Sequence, residues 1–166
     1  VDTRLTYNNF DDRNPQWSAG GDYIVFESFR DGDWEIMRMN SDGSDEGAFT
    51  VNEFSDRDPA WADNGRLVLF ASDRDGNWEI YSTGQESGVD TRLTYNNFDD
   101  RNPQWSPDGR FIVFESMYDG DWEIMRMSTG EVEWGTRFKV YTENDDQDRD
   151  PAWNLNPSNN KETKKG

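Results

Sequence analysis

The segment from Leu93 to Met127, LTYNNFDDRNPQWSPDGRFIVFESMYDGDWEIMRM, decides the fold. An Asp-rich loop leads into Asn102-Pro103-Gln104-Trp105 and then into the tight turn Ser106-Pro107-Asp108-Gly109. The apolar run Phe111-Ile112-Val113-Phe114 follows, then a second turn at Asp119-Gly120 and the run Trp122-Glu123-Ile124-Met125. Apolar runs of roughly four to eight residues bounded by Pro, Asp and Gly turns predict β-strands joined by hairpins. The segment therefore reads as a small antiparallel sheet.

The rest of the chain copies this unit. Trp17, Trp61 and Trp105 recur at 44-residue spacing, as do Trp34, Trp78 and Trp122; Trp153 follows after 48. Val1–Met39 and Val89–Met127 are identical at 33 of 39 positions. The second unit keeps the pattern with other side chains: Asp58-Pro59-Ala60-Trp61, Leu67-Val68-Leu69-Phe70 and Trp78-Glu79-Ile80-Tyr81. Each unit supplies four strands, the fourth at Gly47-Ala48-Phe49-Thr50, Thr91-Arg92-Leu93-Thr94 and, less clearly, 136–140. The second strands are apolar on both faces, so each sheet must be covered on both sides. A four-stranded unit of this length, sandwiched between its own copies, is the blade of a β-propeller.

The expected organisation is all-β, with propeller repeats over 1–153 and a polar tail over 154–166. Blades are expected at about 14–50, 58–94 and 102–140, with a partial fourth from 150 and orphan strands at both ends. Propellers close with about four to eight blades. Three alone would expose the apolar faces of the end blades, so we expect a homo-oligomer, with a dimer favoured, or part of a larger propeller.

The pattern Leu-Thr, Asp-x-x-Pro-x-Trp-Ser-Pro-Asp-Gly, Ile-x-Phe-x-Ser, Asp-Gly-x-Trp-Glu-Ile resembles the TolB-like β-propeller repeat over nearly the whole chain. It departs at Ala19-Gly20-Gly21 and Ala62-Asp63-Asn64-Gly65, and after Trp153. The resemblance implies a non-catalytic interaction module in the periplasm or outside the cell, binding a protein or peptide at the rim loops or central channel. The family's namesake is a periplasmic interaction protein. Two alternatives stay open. One is a secreted calcium- or glycan-binding propeller; the other is the propeller fragment of a larger hydrolase or peptidase, as in prolyl peptidases.

Composition narrows the chemistry. The net charge of -18 disfavours nucleic-acid phosphates and anionic membranes as partners. No apolar stretch approaches the roughly 20 residues that span a bilayer. The chain opens directly in the repeat at Val1, as a processed, excised or engineered start would. Without histidine or cysteine, Ser-His-Asp and Cys-His catalysis and most transition-metal sites have no donors. Carboxylate pairs are too abundant among 35 acidic residues to signal catalysis, and they repeat in equivalent surroundings.

Two sets of residues are candidates for binding. Asp12, Asp56, Asp100 and Asp148 precede each Pro-x-Trp, and a ring of them at the channel rim would suit calcium. The plainer reading is that each caps its own turn or pairs with a neighbouring Arg to lock adjacent blades, and the Arg beside every Asp favours it. Tyr7, Asn8, Phe10, Tyr95, Asn96 and Phe98 lie in the loops leading to the same rim and would grip a peptide or glycan. Against that stands the possibility that the rings tuck onto the neighbouring blade. Apart from calcium, no cofactor is expected.

Overall fold

A computed structural model describes residues 2–62, 66–84, 88–130, 138–142 and 148–152. Trp134, Glu131, Glu133, the 143–147 acidic cluster, Trp153 and the 154–166 tail lie outside the described residues.

Every regular element among them is a strand. The first sheet holds β1 (Asp11–Trp17), β2 (Tyr23–Arg30), β3 (Asp33–Asn40) and β4 (Gly47–Ala48). The second holds β5 (Asp56–Trp61), β6 (Leu67–Ser72), β7 (Glu79–Gly84) and β8 (Thr91–Arg92). The third holds β9 (Asp100–Trp105), β10 (Phe111–Ser116), β11 (Glu123–Ser128) and β12 (Phe138–Val140). Each sheet is an antiparallel meander in which sequence neighbours pair. These are three four-stranded propeller blades. Their first strands start at Asp11, Asp56 and Asp100, ahead of the expected boundaries, because the Asp-Arg pair before each Pro-x-Trp already lies in the ladder.

Local chemistry sets the turns. In the first blade β2 and β3 close over Asp31-Gly32, with φ of 54° and 113°. Two successive positive φ values give a type I′ turn, whose twist matches that of the strands it joins. Asp119 and Gly120 repeat it at 56° and 102°. At the opposite end of the blade, Ser18 N–H donates to the Tyr23 carbonyl while Tyr23 N–H donates to Ser18 Oγ. Ser106 and Phe111 do the same in the third blade.

The fourth strands are shorter than the sequence suggests, for a specific reason. Ile36 N–H donates to Thr50 Oγ1 at 2.8 Å, so a side chain takes over where the ladder would continue. The Glu35 carboxylate then accepts from Thr50 Oγ1 at 2.6 Å and from Asn52 N–H at 2.7 Å. Ile80 with Thr94, and Ile124 with Thr142, repeat the bond. The Glu of Trp-Glu-Ile thus fastens the link that carries the chain into the next blade.

Alternation along the second strands builds the core. Val68 and Phe70 pack with Trp61 and Tyr81 against Val25 and Ile36 of the first blade. Leu69, between them, joins Ala60, Ala71 and Ile80 against Ile112, Phe114 and Met127 of the third. The central blade is therefore covered on both faces, as its continuous apolar run requires.

The end blades differ. The outer face of the first blade (Ile24, Phe26, Met37 and Met39) is covered by Leu5. Val1–Thr6 is expected as an orphan strand, but residues 2–6 form no ladder. Leu5 comes so close to Gly43 (φ 87°) that a Cβ there would lie 2.9 Å from the Leu5 carbonyl oxygen. Trp17 is 59% exposed, whereas Trp61, at the same repeat position, is 9% exposed between Tyr23 and Phe49. At the other end Ile124 is partly exposed, where Ile36 and Ile80 are fully covered.

Burial at these equivalent positions makes a prediction. Trp61→Ala should cost about 3–5 kcal/mol, because a packed aromatic leaves a cavity. Trp17→Ala should cost under about 1 kcal/mol. Urea denaturation of the two variants checks it, and equal losses would contradict the blade stacking.

Candidate functional site

The first strand of each blade faces the axis, and its shape there is set by one irregularity. The β1–β2 register skips between Arg13 and Gln16, β5–β6 between Arg57 and Ala60, and β9–β10 around the equivalent step before Gln104. The skipped residues are Asn14-Pro15, Asp58-Pro59 and Asn102-Pro103. Proline cannot donate to a ladder and sits at such bulges. The residue before it adopts the left-handed region, at φ of 49°, 55° and 49°, and Asp150 does so at 57°. Asn and Asp are the non-glycine residues that tolerate it. These four residues, with Gln16, Gln104, Pro59 and Pro151, line a polar cavity of about 220 Å³.

Carboxylates behind this wall join the blades. Glu27 is fully buried on β2 and accepts from Asn14 Nδ2 at 2.7 Å and from the backbone N–H of Asp58, in the next blade, at 2.8 Å. Glu115 does the same with Asn102 Nδ2 at 2.8 Å and Asp150 N–H at 2.6 Å. The central blade has Ala71 at that position. There the left-handed residue is itself an acid, and the Asn102 N–H favours the charged form of the Asp58 carboxyl. Each junction thus sets one carboxylate against one left-handed N–H. The acid comes alternately from the second strand (Asn-Pro-Gln blades) and from the bulge (the Asp-Pro-Ala blade). Sequence reasoning missed Glu27 and Glu115. The signal was the linked exchange of Asn14 and Glu27 for Asp58 and Ala71, restored at Asn102 and Glu115.

Arginine does a second job at the same junctions. Arg57 lies over the Trp34 ring of the preceding blade at 5.2 Å, Arg101 over Trp78 at 4.3 Å and Arg149 over Trp122 at 4.5 Å. Cation–π contact of this kind strengthens when desolvated. Arg13 stacks on Trp34 at 3.6 Å and also bonds Glu27 at 2.8 Å. The expected locking of adjacent blades by arginine is present, but through Trp rings and Glu27 and not through the neighbouring Asp.

The candidate cation ligands are placed otherwise than a ring would need. Asp12 accepts from Ser28 Oγ and Asn8 Nδ2 of its own blade, and Asp100 from Ser116 Oγ and Asn96 Nδ2. Asp56 accepts from Asn52 Nδ2 and is paired with Arg74 at 3.1 Å. Asp148 N–H donates to the Trp122 carbonyl. Among the described residues, no three acidic groups lie together as a metal site requires. The bulge residue, two positions further on, is the one that faces the axis.

The same loops fix the aromatic candidates. Asn8 Oδ1 accepts the Phe10 N–H at 3.0 Å, and Asn52 with Phe54 and Asn96 with Phe98 repeat this Asx turn at 2.8 and 2.6 Å. Asn8 and Asn96 are therefore scaffold, occupied at both ends. The rings they present do not tuck away. Tyr7 is 78% exposed and Tyr95 53%, and Phe10, Phe54 and Phe98 are each more than a third exposed. Phe98 meets Tyr118 edge-on at 5.1 Å, across from the next β-hairpin.

Burial raises the carboxyls of Asp33, Glu35, Asp56, Asp58 and Asp100, the last two furthest. Asp100 is pushed up to about 7, by desolvation first and by Glu79 as the charge acting in the same sense. Asp58 is pushed up to about 6, by desolvation first, then by Glu27, with Glu115 adding to it. Between the ordinary Asp value and these, the folded chain holds protons that the unfolded chain has released. Stability therefore falls as pH rises from about 4 to 7. Thermal melts at constant ionic strength should give a higher Tm at pH 5 than at pH 8, and Asp100→Asn should flatten that difference. A second prediction concerns the alternation. Asp58→Asn and Ala71→Glu should each destabilise, and the double variant should recover about 1 kcal/mol or more over additivity. A double-mutant cycle by urea denaturation measures the coupling.

Comparison with known proteins agrees with this geometry. The chain is similar to a protein assigned as TolB from Agrobacterium tumefaciens, at 28% identity and a TM-score of 0.67, over 77% of this chain and 45% of that one. It is similar in fold to TolB from Acinetobacter baumannii, at 20% identity and a TM-score of 0.69, over 83% of this chain and 34% of that one. A puromycin-hydrolysing peptidase of Mycobacterium tuberculosis shares the fold at 16% identity and a TM-score of 0.64, over 76% of this chain and 22% of that one. The chain spans less than half the length of each. No curated protein matches its sequence. The model of the TolB beta propeller domain matches residues 8–158. On that match, and on three blades joined in the propeller manner, the chain belongs to the TolB beta propeller family.

Proposed function

We propose that this chain is a non-catalytic interaction module that binds a protein or peptide at the rim loops, in the periplasm or outside the cell. The observation that carries the reading is the row of solvent-facing rings Tyr7, Phe10, Tyr95 and Phe98. These rings keep a third or more of their surface in solvent, and Asx turns hold their loops in a fixed shape. Rigid aromatics presented to solvent suit recognition of a partner. The buried acids Glu27, Asp56, Glu79 and Asp100 are engaged as acceptors within or between blades, and so are poor candidates for catalysis. The periplasmic or secreted setting rests on the family resemblance. No helix among the described residues is long and apolar enough to cross a membrane.

A homo-oligomer or a larger ring is supported by the end blades, where Trp17 and Ile124 are open at positions covered elsewhere. A second reading, the propeller part of a larger hydrolase or peptidase, is supported by the fold shared with the peptidase, of which this chain covers 22%.

Selection of peptides from a random display library tests the binding reading. Peptides enriched on the wild-type chain should lose at least about tenfold in affinity on Tyr7→Ala/Phe10→Ala/Tyr95→Ala/Phe98→Ala. Failure to enrich any peptide, or equal binding to the variant, would contradict it. Light scattering tests the assembly, and a stable monomer of 19.4 kDa would contradict the oligomer.

A further inference from the structure

The rim that carries the aromatic rings is also acidic. Segments 7–12, 51–56 and 95–100 and the hairpins 29–34, 73–78 and 117–122 meet at one end of the three blades. Together they contain twelve acidic residues and two arginines, while Arg4, Arg13, Arg57, Arg92, Arg101 and Arg149 from the flanking chain lie over their rings, so the rim stays acidic on balance. Both arginines of these segments are already engaged: Arg30 with Glu46, and Arg74 with Asp56 and Asp90. Asp12, Asp56 and Asp100 are held inside the loops and Asp75 is paired with Arg92, while Asp11, Asp31, Glu53 and Asp119 face solvent. The field at this rim is felt by its own members. Asp33 has its carboxyl raised, by burial first and then by Asp56, Asp31 and Asp73.

Interleaved with these acids are the apolar groups. Among the described residues, seven of the ten large exposed hydrophobic ones sit on this end: Tyr7, Phe10, Phe29, Val51, Phe54, Tyr95 and Phe98. Their positions repeat at 44-residue intervals, with Phe in all three copies at 10, 54 and 98. An uncharged apolar partner would leave the carboxylates desolvated and unpaired, which is costly. An acidic partner would be repelled.

We infer that the partner of this rim is a basic protein segment in which Lys or Arg alternates with apolar side chains, the apolar groups meeting the Phe and Tyr rings and the cations meeting the acids between them. The inference rests on the interaction-module reading and assigns the partner's chemistry. The opposite end of the blades serves as an internal control. Asp22 and Asp45 lie there, in the turns that follow β1 and β3, away from the exposed rings.

The test uses the full chain and two short fluorescein-labelled peptides, one alternating Lys with Leu and one alternating Glu with Leu, followed by anisotropy. The Lys peptide should bind at least about tenfold more tightly, and weaken at high salt as exposed charges are screened. Asp31→Asn/Asp119→Asn keeps residues suited to the left-handed turn and should weaken it several-fold. Phe10→Ser/Phe98→Ser should weaken it as well, while Asp22→Asn/Asp45→Asn, which removes the same charge from the far end, should not. Circular dichroism melts establish that each variant is folded. Equal binding of the two peptides, or equal effects of the rim and far-end charge variants, would overturn the basic partner. Peptides selected from the display library that carry no basic residues would also overturn it while leaving the module reading standing. Failure of that selection to enrich any peptide would remove the module itself.

Discussion

The junctions between neighbouring blades set a carboxylate against the N–H of a left-handed residue in the next blade. Glu27 accepts from Asp58 and Glu115 from Asp150, and the Asn102 N–H favours the charged Asp58 carboxyl. The pairing follows from the Pro-x-Trp bulge. Proline removes a donor, the bulge breaks the ladder, and the residue before it turns its N–H toward the preceding blade. A buried N–H left without a partner costs about 1–3 kcal/mol. The acceptors Glu27 and Glu115 are themselves fully buried behind the bulges. A carboxylate serves because it can take several donors at once: Glu27 takes Asn14 Nδ2, Asp58 N–H and Arg13 Nε. Its desolvation is offset by charge-assisted bonds that a neutral acceptor would not make.

This constraint explains why the repeat is not uniform. If every blade carried both the bulge Asp and the second-strand Glu, two carboxylates would meet at each junction with one N–H to share. The chain instead alternates Asn14 with Glu27, Asp58 with Ala71, and Asn102 with Glu115. Asp150-Pro151-Ala152 begins the other pattern again. The raised carboxyl of Asp58, flanked by Glu27 and Glu115, shows how close the arrangement comes to too many charges. The division of labour then follows. The axial bulges and the apolar faces hold the blades together, and the loops between blades, fixed by Glu35, Glu79 and Glu123, are left to present side chains to solvent.

Much of the fold was legible because it is written in spacing. The Trp recurrence, the doubly apolar second strands and the Asp-Gly turns each point to one structure, and the structure has it. Strand ends were less legible. The fourth strands stop early since Thr50 and Thr94 side chains replace ladder bonds, which no periodicity reports. The site was read in part. That Asp12, Asp56 and Asp100 cap their own turns or pair with an Arg was one of two readings, favoured by the Arg beside each. Their serine and asparagine partners emerge only in the structure. Whether Tyr7 or Phe98 is buried could not be read from either residue, since exposure is decided by the loop of the next blade. Glu27 and Glu115 were overlooked inside Phe-Glu-Ser, where a strand-period reading gives an acid no reason to be fully covered.

The central claim concerns single amide groups, and amide hydrogen exchange followed by NMR addresses it residue by residue. Asp58 and Asn102 should be protected nearly as well as the core of β6, although both sit in left-handed bulge positions beside a polar cavity. Asn14 occupies the same position without a preceding carboxylate in this chain and should exchange much faster. If Asp58 and Asn102 exchanged as fast as Asn14, the carboxylate junctions would not be what holds the blades together.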